Sequence, residues 1–197
     1  MGARVIKLGS AYIVLMLLLG PIAAPAKPTK IARVKAPEVL KVVTPLGELT
    51  CELDREDSQA ALQRFAAMVE AKQYESSTFC RMVASFFAQG GCPAEKSVGV
   101  SKKVGLTPKG PHGKAGVLSL APDAQGLFGQ QFIILERPAP WLDASHVRLG
   151  QCGPLKTIKA LTRVPTLAKA RARRPIPITR LQIGREGEGK PVNGLAK

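Results

Sequence analysis

The sequence predicts a mainly β fold, a barrel of short antiparallel strands capped at its ends by two helices. Three observations carry that expectation. Short apolar segments separated by turn residues recur along the chain. Only two stretches repeat their apolar residues at helical spacing. The length, 197 residues, suffices for one domain with a full hydrophobic core but not comfortably for two.

Ordered structure is expected over residues 38–184. In VLKVVTPLGELTCELD, Val42, Leu49, Cys51 and Leu53 alternate with other residues around Pro45-Leu46-Gly47, which reads as two strands joined by a tight turn. Asp57 or Ser58 can cap the next segment. There Ala61, Leu62, Phe65, Met68 and Val69 recur at helical spacing as far as Lys72, with Phe65 as core anchor. FCRMV and FFAQG follow as a strand pair about a turn at Ala84-Ser85. Residues 99–114, rich in Gly, Lys and Pro, read as a loop. GVLSLA (116–121), QQFIIL (130–135) and SHVRLGQC (145–152) are three more strands. A short helix over 155–161 and a last strand over 177–183 complete the series.

The N-terminus speaks to compartment. Arg4 and Lys7 precede an uncharged stretch that runs to Lys27, with AYIVLMLLL (11–19) as its densest apolar part. Gly20-Pro21 breaks the apolar run, and Ala24-Pro25-Ala26 supplies the small-x-small pattern of a cleavage site. Residues 1–26 are therefore expected to be a signal peptide, exporting the protein to a periplasm or out of the cell. The alternative is an uncleaved inner-membrane anchor, since Leu8 to Ala26 is just long enough to span a bilayer. Residues 27–37, KPTKIARVKAP, read as a basic linker and 185–197 as a flexible tail.

The formal charge is +15 and the pI about 10.1. No Asp or Glu occurs from Ala144 to Arg185, while Arg148, Lys156, Lys159, Arg163, Lys169, Arg171, Arg173, Arg174, Arg180 and Arg185 all fall there. This reads as a solvated basic surface or one that docks on an acidic partner, such as anionic lipid, polysaccharide or acidic protein. No nucleic-acid partner is expected, because the basic segment lacks interleaved aromatics and the chain carries an export signal. Export permits disulfides, and Cys51, Cys80, Cys92 and Cys152 allow three pairings. Without CxxC spacing, and with His112 and His146 far from other ligand types, no metal site is expected.

The stretch FCRMVASFFAQGG (79–91) sets a guanidinium among large apolar side chains, a costly place for a charge unless something uses it. If the hairpin turns about Ser85, Arg81 faces Gln89 on one side of the sheet, and Phe79 and Phe87 share their parity. Gln131 and Ile133 repeat the pattern on a later strand. On this ground alone Arg81 serves either an ion pair that stabilises the strand or a functional site.

FCRMVASFFAQGG, GVLSLA, FGQQFII and WLDASHVRLG, in this order, resemble the cyclophilin family of peptidyl-prolyl cis/trans isomerases. The likeness covers roughly Val39 to Ile183. It implies a closed eight-stranded antiparallel β-barrel with a helix closing each end. It also implies a catalytic role for Arg81, a pocket role for Phe86, and substrate binding by Gln89, Gln131, Trp141, Leu142 and His146. An apolar pocket of Phe86, Phe87, Ile133 and Leu142 would hold the proline ring of a Pro-containing, partly folded polypeptide. Such an enzyme breaks no bond, so no nucleophile, metal or cofactor is required. The alternative is a catalytically weak module that keeps the groove and only binds Pro-containing segments.

The chain departs from the family pattern at Cys80, where His is usual, at Phe87 in place of Met, at Ile133 in place of Phe, and at Pro122 in place of Asn. CPAEKSVGVSKKVGLTPKG replaces the Gly-rich loop after QGG. These changes bear on substrate choice more than on reaction type. The same hairpin register sets Cys80 diagonally from Cys92, which permits a Cys80–Cys92 bridge and leaves Cys51 with Cys152; buried free thiols are the alternative. His112 is expected to be a loop or structural histidine, and Asp143 to fix the turn after Trp141.

Overall fold

Alternation of side chains across a pleated strand decides which residues of this chain meet in the core. The computed structural model describes residues 39–54, 58–93 and 102–184. The expected signal peptide, linker and tail and the Asp57 cap lie outside the described residues. Among those described, the chain forms ten strands and two α-helices. The strands are β1 (Val39–Thr44), β2 (Gly47–Leu53), β3 (Ser77–Val83), β4 (Phe87–Gly90), β5 (Cys92–Pro93), β6 (Val117–Pro122), β7 (Phe128–Leu135), β8 (Val147–Gly153), β9 (Arg171–Pro177) and β10 (Arg180–Gly184). The helices are α1 (Gln59–Glu70) and α2 (Leu155–Thr162).

All pairings are antiparallel and the sheet order is β10-β1-β2-β8-β6-β7-β4-β3-β5, with β9 also on β3. The sheet curls because one segment serves both of its ends. β9 pairs with β3 and β10 with β1, and the two residues between them donate to opposite edges, Ile178 N to Ser77 O at 2.9 Å and Thr179 N to Val43 O at 2.9 Å. The ten segments differ from the expected eight strands for a simple reason. β4 and β5 are one strand interrupted at Gly91, and β9 and β10 are one strand interrupted at Ile178-Thr179, so ten less two leaves eight.

The β1–β2 turn falls where Pro-Leu-Gly predicts it. Thr44 Oγ1 donates to Gly47 O at 2.9 Å and accepts from Leu46 N at 3.1 Å. In α1, Ala61, Leu62, Phe65, Met68 and Val69 are buried at the predicted spacing, and the chain leaves the helix at Ala71. Phe65, fully buried, meets Phe132 edge-on at 6.1 Å, and Phe132 meets Phe79 edge-on at 5.7 Å. Each such ring contributes ~1.5–3 kcal/mol by burial alone. Gly91 lies in the left-handed region, at φ +76°, and a Cβ there would sit 2.3 Å from Gln130 O, so only glycine fits this break between β4 and β5.

Both expected disulfides are formed. Cys51 and Cys152 are direct partners in the β2–β8 ladder, and Cys80 is bonded to Cys92. The hairpin register is also as the sequence implies, with Arg81 opposite Gln89 and Thr78 opposite Cys92.

Two expectations need correction. Phe79 does not share a face with Arg81: the β3–β9 register shifts between them, and Phe79 and Met82, three apart, both enter the core. The last strand begins earlier than 177, since β9 starts at Arg171.

Candidate active site

Besides the main core, a second apolar cluster lies on the other face of the sheet. It comprises Phe87, Val117, Ala121, Ile133, Leu135 and Ala139, with Val83, Phe86 and Leu142 packed against it. The pleat explains it: Ala88, Leu118, Leu120 and Ile134 point into the main core, so their neighbours Phe87, Val117, Ala121, Ile133 and Leu135 point the other way. Sheets usually leave such a face polar. Here it is apolar, the candidate floor of a peptide groove.

Arg81 projects over this floor, its guanidinium carbon 5.1 Å from the centroid of the Phe87 ring. It is exposed, and among the described residues no carboxylate pairs with it. The ion-pair alternative for Arg81 therefore has no partner among the described residues. Gln89, opposite both Arg81 and Ile133, donates through Nε2 to Gln131 Oε1 at 3.0 Å. Phe86 meets Phe87 at 5.0 Å and Trp141 at 5.8 Å, and Trp141, on a 3₁₀ turn over Pro140–Leu142, is 60% exposed. Arg137 caps Phe86 from outside, 5.3 Å from its ring centroid.

Behind the groove lies a polar support. His112 is fully buried, with Nε2 2.9 Å from Ser119 Oγ and Nδ1 2.8 Å from Asp143 Oδ1, which also accepts from His112 N at 2.7 Å. Ser119 in turn is the ladder partner of Ile133. His112 is thus the structural histidine expected, but Asp143 does more than hold its own turn: it ties that turn to His112. His146 packs edge-on against His112 at 6.1 Å, and its Nδ1 lies 2.8 Å from Ser145 Oγ. Burial, and secondarily the neighbouring His112, push His146 down to about 4, so it is neutral near pH 7.

The predicted residues Arg81, Phe86, Phe87, Gln89, Gln131, Ile133, Trp141 and Leu142 come together at this groove, and His146 joins through His112. Sequence reasoning missed Ser119, whose one signal is that it is the only hydroxyl in GVLSLA. Arg171, opposite Arg81 in the β3–β9 ladder, had no signal beyond its place in a basic segment. Volume does not find the site: a cleft of about 670 Å³ between α1 and β10, lined by Val69, Tyr74, Ile178 and Leu181, holds none of these residues.

Residues 39–183 match the family model described as cyclophilin type peptidyl-prolyl cis-trans isomerase/CLD. A peptidyl-prolyl cis-trans isomerase-like 1 of Neurospora crassa is 31% identical over 152 residues, covering 74% of this chain and 93% of that protein. A peptidyl-prolyl cis-trans isomerase H of Mycosarcoma maydis is 31% identical over 153 residues, covering 69% and 97%. Among solved structures, a cyclophilin type peptidyl-prolyl cis-trans isomerase of Cryptosporidium parvum, crystallised in the presence of the dipeptide Ala-Pro, superposes with a TM-score of 0.64. That match has 22% sequence identity and covers 74% of this chain and 98% of the other, which bears on the fold. Since the family model spans the whole curled sheet and the relatives agree with it, this chain belongs to the cyclophilin-type peptidyl-prolyl cis-trans isomerases.

Proposed function

We propose that the protein accelerates rotation about X-Pro peptide bonds in exported polypeptides, with Arg81 as the catalytic donor. The observation that carries this reading is the Arg81 guanidinium over the Phe87 ring, on the rim of an apolar floor and without a carboxylate partner among the described residues.

The chemistry follows from the amide. Resonance opposes rotation with a barrier of ~18–20 kcal/mol. At a twist near 90° the conjugation is lost and a lone pair returns to the prolyl nitrogen. A donor fixed beside that nitrogen then binds the twisted state better than either planar state, which lowers the barrier. A guanidinium suits the task because its donors lie in a rigid fork. Phe87, Ile133 and Leu142 offer the pyrrolidine ring an apolar seat beside that fork and keep water from it. The Gln89–Gln131 pair leaves amide groups to hold substrate backbone, and Trp141 borders the groove.

Export is supported by the N-terminal layout and by the two disulfides, since such bonds persist chiefly in oxidising compartments. The basic strand β9, with Arg171, Arg173 and Arg174 exposed, supports an acidic docking partner for that side of the protein. Sequencing the N-terminus of protein recovered from cells tests export: a start at Lys27 supports it, and an intact Met1 in a cytosolic fraction contradicts it.

A second reading has one observation in its favour. Ile133 stands where an aromatic wall is usual and is only 3% exposed, so it offers a bound ring less surface than an aromatic would, which suits a groove that binds Pro-containing segments with little turnover. A coupled isomerisation assay on an Ala-Pro peptide separates the two. A wild-type rate that Arg81→Ala abolishes supports the enzyme, and saturable peptide binding without any rate supports the binder.

A further inference from the structure

Arg81 and Arg171 are direct cross-strand partners on β3 and β9, and both are exposed. Side chains directly opposite in an antiparallel ladder leave the same face, with Cβ atoms roughly 5 Å apart. Both side chains therefore leave the sheet on its outer face, Arg81 with its guanidinium beside the Phe87 ring, and an anion held between the two would relieve the like-charge repulsion of neighbouring strands.

The surroundings leave this pair uncompensated. Around the groove, the described carboxylates are already engaged. Asp143 holds His112, Glu136 is bound by Thr162 and by Arg163 at 3.0 Å, and Asp123 pairs with Lys103 at 2.7 Å. Among the described residues none pairs with Arg81, Arg171 or the Arg137 that caps Phe86. A strand-opposed cation also disfavours tilting Arg81 toward β9, in keeping with its position over Phe87.

We infer that Arg171 is a specificity-determining residue, which with Arg81 selects Pro-containing segments that carry an anionic side chain, a carboxylate or a phosphoryl group, within a residue or two of the proline. The inference rests on the groove being the peptide site. A carboxylate or phosphate can accept from both forks while the proline ring occupies the apolar floor, whereas a lysine at the same place meets two cations.

The test uses the full chain and peptides of the form Ala-Xaa-Pro-Ala and Ala-Ala-Pro-Xaa, with Xaa as Glu, phosphoserine, Gln or Lys. Two readouts are taken: kcat/KM for isomerisation, and Kd from the fluorescence of Trp141, the only tryptophan and a residue of the groove rim. In at least one series Glu should be favoured over Lys by roughly two- to five-fold at low salt, the worth of an exposed ion pair, with phosphoserine at least as favoured. The preference should shrink at high salt. Arg171→Gln should bring the Glu/Lys ratio towards one, and Arg171→Glu should invert it. Circular dichroism of both variants verifies folding. A ratio near one in both series, or a ratio that Arg171→Glu does not move, overturns the inference. Absent turnover with an intact Glu preference in Kd would instead remove the isomerase reading and leave this one standing.

Discussion

Ser119 stands opposite Ile133 in the β6–β7 ladder while its hydroxyl lies 2.9 Å from Nε2 of the buried His112. The floor of the groove is thereby fastened to a Ser119–His112 contact that no solvent reaches, since both residues are fully buried.

Removing that hydroxyl leaves a buried ring nitrogen without its partner. Ser119→Ala should cost about 1–3 kcal/mol of stability, read as a lower urea midpoint with unchanged m-value. An unchanged midpoint would mean that the His112 contact contributes nothing net.

The Cys51–Cys152 bridge joins positions 101 residues apart and so closes a long loop in the unfolded chain. Its loss through paired Cys51→Ala and Cys152→Ala should cost about 2–5 kcal/mol, more than loss of the Cys80–Cys92 bridge with its separation of 12. Urea unfolding of the two double variants checks the order, and the reverse order would contradict it.

His146 bears on pH. Its pKa is lowered to about 4, below the ordinary histidine value near 6.5, so the unfolded chain binds the proton more readily than the folded one. Stability should therefore fall as pH drops from about 6.5 towards 4, and His146→Gln should flatten that part of the curve. In ¹H–¹⁵N spectra the His146 ring should show no titration between pH 5.5 and 8. A midpoint near 6.5 would refute the burial argument.

Much of this was legible beforehand for physical reasons. The 81–89 register follows from one turn at Ser85, and a turn fixes every pair beyond it, including the Cys80–Cys92 diagonal. The groove residues could be placed because side-chain alternation in β4 and β7 is unbroken. Phe79 escaped because a register shift between it and Arg81 changes the parity, and nothing in TFCRM marks that shift. β9 escaped because RARRPIP has two prolines and a single buried residue, Ala172, followed by five consecutive exposed or half-buried ones; pairing to β3, not local pattern, makes it a strand. The Ser119–His112–Asp143 contacts join three separate segments, which only the folded chain brings together.

The central claim is that Arg81 grips the prolyl nitrogen at mid-rotation, and one assay tests it most directly: kcat/KM for isomerisation of an Ala-Pro peptide by wild type and by Arg81→Ala, alongside Trp141-monitored peptide binding. The account predicts a wild-type rate clearly above the uncatalysed one and a loss on the order of 10²-fold or more in the variant, with Kd changed far less. An Arg81→Ala protein that binds and isomerises the peptide as the wild type does would contradict it.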